Sequence, residues 1–149
     1  LDAVVLRVFN PIGPGAPESS LLGRVAAELR RAMTDGTDVR LGPLDAVRDF
    51  VDVADVADAV VAAAVAAALP HPVLNIGSGV GKPVRALVAE LLAISGWTGA
   101  VREDSTGSVR SADVPWQQAD ITQARQDLRW RPQRELTTSL HGLLRETTL

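Results

Sequence analysis

Arg48 and Arg110 are the residues best suited to chemistry in this sequence. A guanidinium is planar and permanently charged, and it grips phosphate or carboxylate oxygens with two parallel N–H bonds. Each has a plain alternative. Arg48 stands near Asp49 and Asp52 and could pair with either, while Arg110 could be a solvated loop charge. Asp113 carries a carboxylate that suits both hydroxyls of a vicinal diol, or else closes an Asx turn or pairs with Arg110. Asn10 ends an apolar run, the place where open α/β sheets bind ligands. Its amide either donates to a ligand oxygen or serves as a turn residue before Pro11.

Other chemistries are excluded by composition. There is no cysteine, so no disulfide and no thiolate. His71 and His141 lie too far apart in sequence for a zinc pair. Asp49, Asp52, Asp55 and Asp58 lack the glycines of a metal loop, and capping and solvation are the expected roles. Asp120 precedes Thr122 and reads as a cap. Trp97 and Trp116 either stack on a base or anchor a groove, and Trp130 reads as packing.

The elements that must hold these residues alternate between strand and helix. Ala3 to Phe9 is a β-branched run, expected as a buried parallel strand. Leu22, Val25, Ala26 and Leu29 give the helical spacing, so a helix is predicted from Leu21 to Met33, ended by Asp35-Gly36. Short strands are expected at Asp38 to Gly42 and at Arg48 to Val53, the second placing Phe50 opposite Asp49. Asp55 is the predicted N-cap of a helix running to Leu69. A strand at Val73 to Ile76 leads into a glycine-rich turn, Gly77 to Gly81. Further helices are predicted at Val84 to Ser95, closed by Gly96, at Asp120 to Trp130 and at Leu136 to Thr147, with a polar loop at Arg102 to Arg110. The alternation is α/β but unbalanced. It reads as a small α+β lobe plus one or two strands of a sheet whose other members lie upstream.

The 149 residues suffice for one domain, 1–149, with a modest core. Apolar residues are 46% and charged residues 22%, the balance of a soluble globular protein. A net charge of −3 gives no basic footprint for nucleic acid, so an anionic ligand needs locally placed arginines. The longest apolar run, Ala59 to Leu69, is about half of a membrane span.

Four segments in order resemble the second half of the extended short-chain dehydrogenase/reductases, the NAD-dependent epimerase/dehydratase family. They are Leu6-Arg7-Val8-Phe9-Asn10-Pro11-Ile12-Gly13-Pro14-Gly15, then Arg48-Asp49-Phe50-Val51-Asp52-Val53-Ala54-Asp55-Val56-Ala57-Asp58-Ala59, then Leu74-Asn75-Ile76-Gly77-Ser78-Gly79. The last runs from Arg110-Ser111-Ala112-Asp113-Val114-Pro115 through Asp120-Ile121-Thr122 to Leu128-Arg129-Trp130-Arg131-Pro132. The stretch Ile12-Gly13-Pro14-Gly15 and the stretch from Leu41 to Phe50 lean toward reductases similar to the GDP-4-keto-6-deoxymannose reductases, with Pro11 in place of that branch's His. The family's dinucleotide loop and its Tyr-x-x-x-Lys pair are missing. The sequence has no tyrosine, and Lys82 is its single lysine. Proton transfer to a sugar needs a phenol beside an ammonium, so the chain alone is not expected to turn over.

The resemblance implies the substrate-binding part of a Rossmann-type enzyme, with the dinucleotide-binding half upstream. It implies a nucleoside-diphosphate 4-keto-6-deoxyhexose as substrate and NAD or NADP as cofactor, with hydride transfer at the sugar 4-position. A 4-epimerase or 4,6-dehydratase would use the same clamp, and a non-catalytic binding module is the reading from another class. The parent protein would be a cytoplasmic homodimer. Arg48 and Arg110 would hold the diphosphate and Asp113 the ribose. Asn10 would meet a phosphate or sugar oxygen. Ser19, Ser20 and Leu21 would open a helix facing the ligand, whose N-terminus suits an anion. Val39, Leu41 and Gly42 would lie along the base, or form a plain edge strand. Val8 and Phe9 would bring their main chain to the nicotinamide, or be plain core.

Overall fold

The computed structural model describes residues 3–104 and 114–145. Its strands are β1 (Val5–Val8), β2 (Pro11–Ile12), β3 (Val39–Leu41), β4 (Val47–Asp49), β5 (Val51–Asp52), β6 (Val73–Ile76), β7 (Gly81–Pro83) and β8 (Val101–Glu103). Its helices are α1 (Leu21–Asp35), α2 (Val53–Val65), α3 (Val84–Ser95), α4 (Thr122–Leu128) and α5 (Leu136–Arg145). The strands pair two by two: β1 with β6, β2 with β5 and β3 with β8 in parallel, β4 with β7 antiparallel.

Two hydrophobic cores result. The first packs α1, α3 and α5 around β3, with Ile12, Leu44 and Phe50 among its members. The second packs α2 and α4 against β1 and β6, and takes in Val51, Ala119, Ile121 and Trp130. Phe50 and Val51 are consecutive, and side chains of an extended chain alternate faces. One short stretch therefore feeds both cores. It breaks into β4 and β5 instead of running as one strand, because β4 binds β7 while β5 binds β2. This is the α/β fold expected, a small α+β lobe attached to two strands of a parallel sheet.

Local signals explain most ends. Ser20 caps α1, accepting from the Gly23 amide at 3.2 Å. Gly36 and Gly96 close α1 and α3 in the left-handed conformation that favours glycine. Three expectations need correction. The N-cap of α2 is Asp52, which accepts from the Ala54 amide at 2.7 Å, and the helix ends at Val65. Arg102 and Glu103, expected to open a loop, belong to the strand Val101–Glu103, because its main chain extends beside β3, while the expected loop from 105 to 110 lies outside the described residues. The other helix predicted near the chain's end is the shorter α4, whose N-cap position is Ile121 and not Asp120, although the Asp120 carboxylate accepts from the Thr122 amide at 2.9 Å just before it.

β1 also departs from expectation. Val5 is 58% and Val8 37% exposed, because β6 is the strand's single neighbour among the described residues. Helix α2 also exposes Val53, Val60, Val61 and Val65. An open strand edge and exposed apolar side chains both favour association. The isolated chain should therefore associate as concentration rises, followed by light scattering. Val5→Lys, which puts a charge on the open edge, should reduce it; a sharp, concentration-independent melt of a monomer would contradict this.

Candidate ligand-binding site around Arg48

Arg48 lies on β4 and is only 8% exposed. Its guanidinium donates to the Val47 carbonyl at 2.8 Å and forms no ion pair among the described residues. The plain alternative of pairing with Asp49 or Asp52 is not what the chain does. Asp49 accepts from the Ser78 amide and hydroxyl, both at 2.7 Å, from Gly79 N–H at 2.9 Å and from Ala119 N–H at 3.0 Å. Asp52 accepts from the Ser139 hydroxyl at 2.6 Å. A buried cation without a carboxylate retains its capacity for an anion.

The neighbours of Arg48 are set by pairing. Because β2 lies beside β5, Asn10 reaches the end of β4 and its Nδ2 donates to the Asp49 carbonyl at 2.7 Å and to Gln117 Oε1 at 3.2 Å. Both amide hydrogens are thus engaged within the chain, leaving the side-chain oxygen for any outside partner. Asn10 holds a positive φ of 27°, an uncommon conformation outside glycine.

Arg110 and Asp113 lie outside the described residues, but the chain on either side of them is anchored at the candidate positions. On one side Asp104 N–H donates to the Leu41 carbonyl at 2.7 Å. On the other, Val47 N–H donates to the Pro115 carbonyl at 2.9 Å and Gln117 N–H to the Val47 carbonyl at 3.0 Å. Asp104 is therefore held next to Gly42, and Pro115 next to Arg48.

The remaining candidates are arranged less directly. Val39 and Leu41 are buried in the first core, so a flat ring at β3 would meet backbone and the half-buried Gly42 rather than those side chains. Ser20 spends its hydroxyl on capping and on the Pro17 carbonyl at 2.8 Å, whereas Ser19 is exposed and Leu21 half-buried. Phe9 packs against the second core and Val8 faces outward. Trp97 packs against the first core. Trp116 lies over Gly81 beside Val47, the face of β4 turned away from Arg48. A shallow hollow of about 360 Å³, lined by Trp116, Gln118 and Arg125, opens at this second face and does not include Arg48. Trp130 packs as expected, its indole donating to the Asp55 carbonyl at 2.9 Å.

The carboxylate run is structural. Asp55 is 1% exposed and accepts from the Gln133 and Arg134 amides, both at 3.1 Å, and from the Arg134 guanidinium at 2.6 Å. Asp58 and Asp55 hold the Arg134 proton more firmly than usual. At β8, Arg85 and the Leu44 amide hold Glu103 below the ordinary carboxylate range. No cluster of metal-ligating residues occurs among the described residues.

Sequence reasoning missed Asp49 and Ser78. A signal was available: Val47, Asp49 and Val51 alternate on one face, so Asp49 occupies an apolar row. The glycine-rich turn does not fit a dinucleotide. Its Ser78 and Gly79 N–H groups, which would cradle a phosphate, already bind the Asp49 carboxylate.

The NAD dependent epimerase/dehydratase family matches the chain over residues 1–77. The chain is 40% identical over 145 residues to dTDP-6-deoxy-L-talose 4-dehydrogenase (NAD(P)(+)) of Kitasatospora kifunensis, covering 96% of this chain and 45% of that protein. It is 30% identical to dTDP-L-rhamnose 4-epimerase of Burkholderia thailandensis, over 93% of this chain and 38% of that one. The structure of RMD from Pseudomonas aeruginosa complexed with NADPH superposes with a TM-score of 0.82 at 26% identity, covering 96% of this chain and 47% of the other. The chain spans less than half the length of the curated relatives it matches.

Proposed function

Because the chain belongs to the NAD-dependent epimerase/dehydratase family, we propose that it forms the nucleotide-sugar-binding part of an NAD(P)-dependent oxidoreductase. The substrate is a nucleoside-diphosphate-linked 6-deoxyhexose oxidised or reduced at its 4-position. The observation that carries the reading is Arg48, a guanidinium 8% exposed that no carboxylate neutralises among the described residues. A diphosphate supplies the missing charge and suits its two-pronged geometry. Arg110 adds a second prong, and Asp113 takes the ribose hydroxyls. The base lies against the backbone of β3 and Gly42, and the helix opened by Ser19, Ser20 and Leu21 faces the sugar. The dinucleotide is held elsewhere in the enzyme, with Val8 and Phe9 contributing main chain at its nicotinamide end.

The likeness to a dTDP-6-deoxy-L-talose 4-dehydrogenase supports the 4-oxidoreductase reading. A 4-epimerase is the second reading, supported by the 30% identity to a dTDP-L-rhamnose 4-epimerase. Both use one clamp. No helix among the described residues is long and apolar enough to cross a membrane.

The test is turnover. Joined to a dinucleotide-binding half with its Tyr and Lys, the chain should support NAD(P)H-coupled interconversion of a dTDP-linked 4-keto-6-deoxyhexose, read by nicotinamide absorbance. The isolated chain, which has no tyrosine, should give none. Oxidation of NAD(P)H by the isolated chain would refute the assignment. Epimerised product without net change in the nicotinamide would select the second reading.

A further inference from the structure

We propose that Asp49 is a positioning residue for the diphosphate grip, setting Arg48 against the chain that runs on from Arg110 and Asp113. The inference rests on the reading of Arg48 as a phosphate ligand. Asp49 is fully buried. Its oxygens receive four hydrogen bonds, from Ser78 N–H, Ser78 Oγ, Gly79 N–H and Ala119 N–H. A carboxylate has about four acceptor positions, so none remains for a ligand or for Arg48. The side chain touches no candidate ligand group, yet it joins the strand of Arg48 to two other segments.

Each of those segments matters for a different reason. Ser78 and Gly79 belong to the turn after β6, so their bonds fix the height of β4 over the parallel pair. Ala119 belongs to the stretch that leaves Pro115, whose main chain is already paired with Val47. The carbonyl of Asp49 also receives Asn10 Nδ2, which bonds Gln117 as well. All these links meet at the residue after Arg48. Side-chain size is restricted there too: a Cβ at Gly77 would lie 2.5 Å from Ala119 Cβ and 3.1 Å from Asp49 Oδ2. An apolar residue here would leave the Ser78, Gly79 and Ala119 N–H groups without their acceptor and would not choose between placements of the segments that carry them. A charge whose every acceptor is directed at backbone donors of two separate segments instead specifies one relative placement of them.

The experiment is a double-mutant cycle in the enzyme that joins this chain to its dinucleotide-binding half, with dTDP and UDP as probes in titration calorimetry. Asp49→Asn presents an amide to N–H donors and should weaken the nucleoside diphosphates roughly tenfold. NAD(P)H affinity should not change. In an Arg48→Ala background the same substitution should have almost no further effect, since the group it positions is gone. An equal loss in both backgrounds, or no loss in a folded Asp49→Asn, overturns the inference. Should Asp49→Asn fail to fold, Ser78→Ala decides by the same cycle. It removes one of the bonds to Asp49 and should weaken binding about threefold with Arg48 present and not at all without it; any other pattern overturns the inference. Unchanged affinity in Arg48→Ala overturns the phosphate reading and this inference together. A loss there, with none in Asp49→Asn, overturns this inference alone.

Discussion

Replacing Arg48 with alanine should raise the dissociation constant for the nucleotide-sugar at least about tenfold while the fold persists. Loss of a charge-assisted pair at a mostly desolvated position costs roughly 2–5 kcal/mol, and each 1.4 kcal/mol or so is tenfold. The fold should tolerate the change because, among the described residues, the guanidinium bonds only the adjacent Val47 carbonyl. Arg110→Ala should behave alike. Arg48→Lys should recover part of the loss, since an ammonium lacks the planar fork. Arg131→Ala is the control, an exposed arginine with no phosphate role. Titration calorimetry in the joined enzyme checks all four, with thermal melts alongside. If both alanine variants stay folded and bind as before, the clamp assignment fails.

The second large effect concerns stability. Asp55→Ala should lower it by about 3 kcal/mol, a fall in Tm of roughly 10 °C. The substitution strands the Gln133 and Arg134 amides, which have Asp55 as their buried acceptor, and removes the inner partner of the Arg134 guanidinium. Asp58→Ala removes the same guanidinium's outer partner, a carboxylate 57% exposed, and should cost within the small range of surface pairs. Thermal denaturation of the two variants decides. Equal shifts would mean that the Asp55 bonds carry no special weight.

The sequence disclosed elements whose signals are local. The spacing of Leu22, Val25, Ala26 and Leu29 placed α1, and Val84 to Ser95 with Gly96 placed α3 to the residue. It failed where pairing across the chain decides. β8 is a strand because β3 lies beside it, and Val101 to Glu103 carries no apolar alternation to announce that. Asp49 and Asp55 were expected to cap helices or be solvated, because carboxylates seldom lie inside, yet donors 29 to 79 residues away converge on them. Arg48 was legible as a type suited to phosphate. Its lack of a carboxylate partner was not, since Asp49 and Asp52 stand within a few positions of it and are claimed by Ser78 and Ser139.

The stretch from Val47 to Asp52, with Phe50 in one core and Val51 in the other, also governs how the chain comes apart. Neither lobe can open while leaving that stretch in place, because each holds alternate residues of the same few. Local opening energies on its two sides are thereby coupled, and the lobes form one cooperative unit rather than two foldons. A ligand gripped at Arg48 consequently stabilises both lobes at once, by mass action on a single equilibrium.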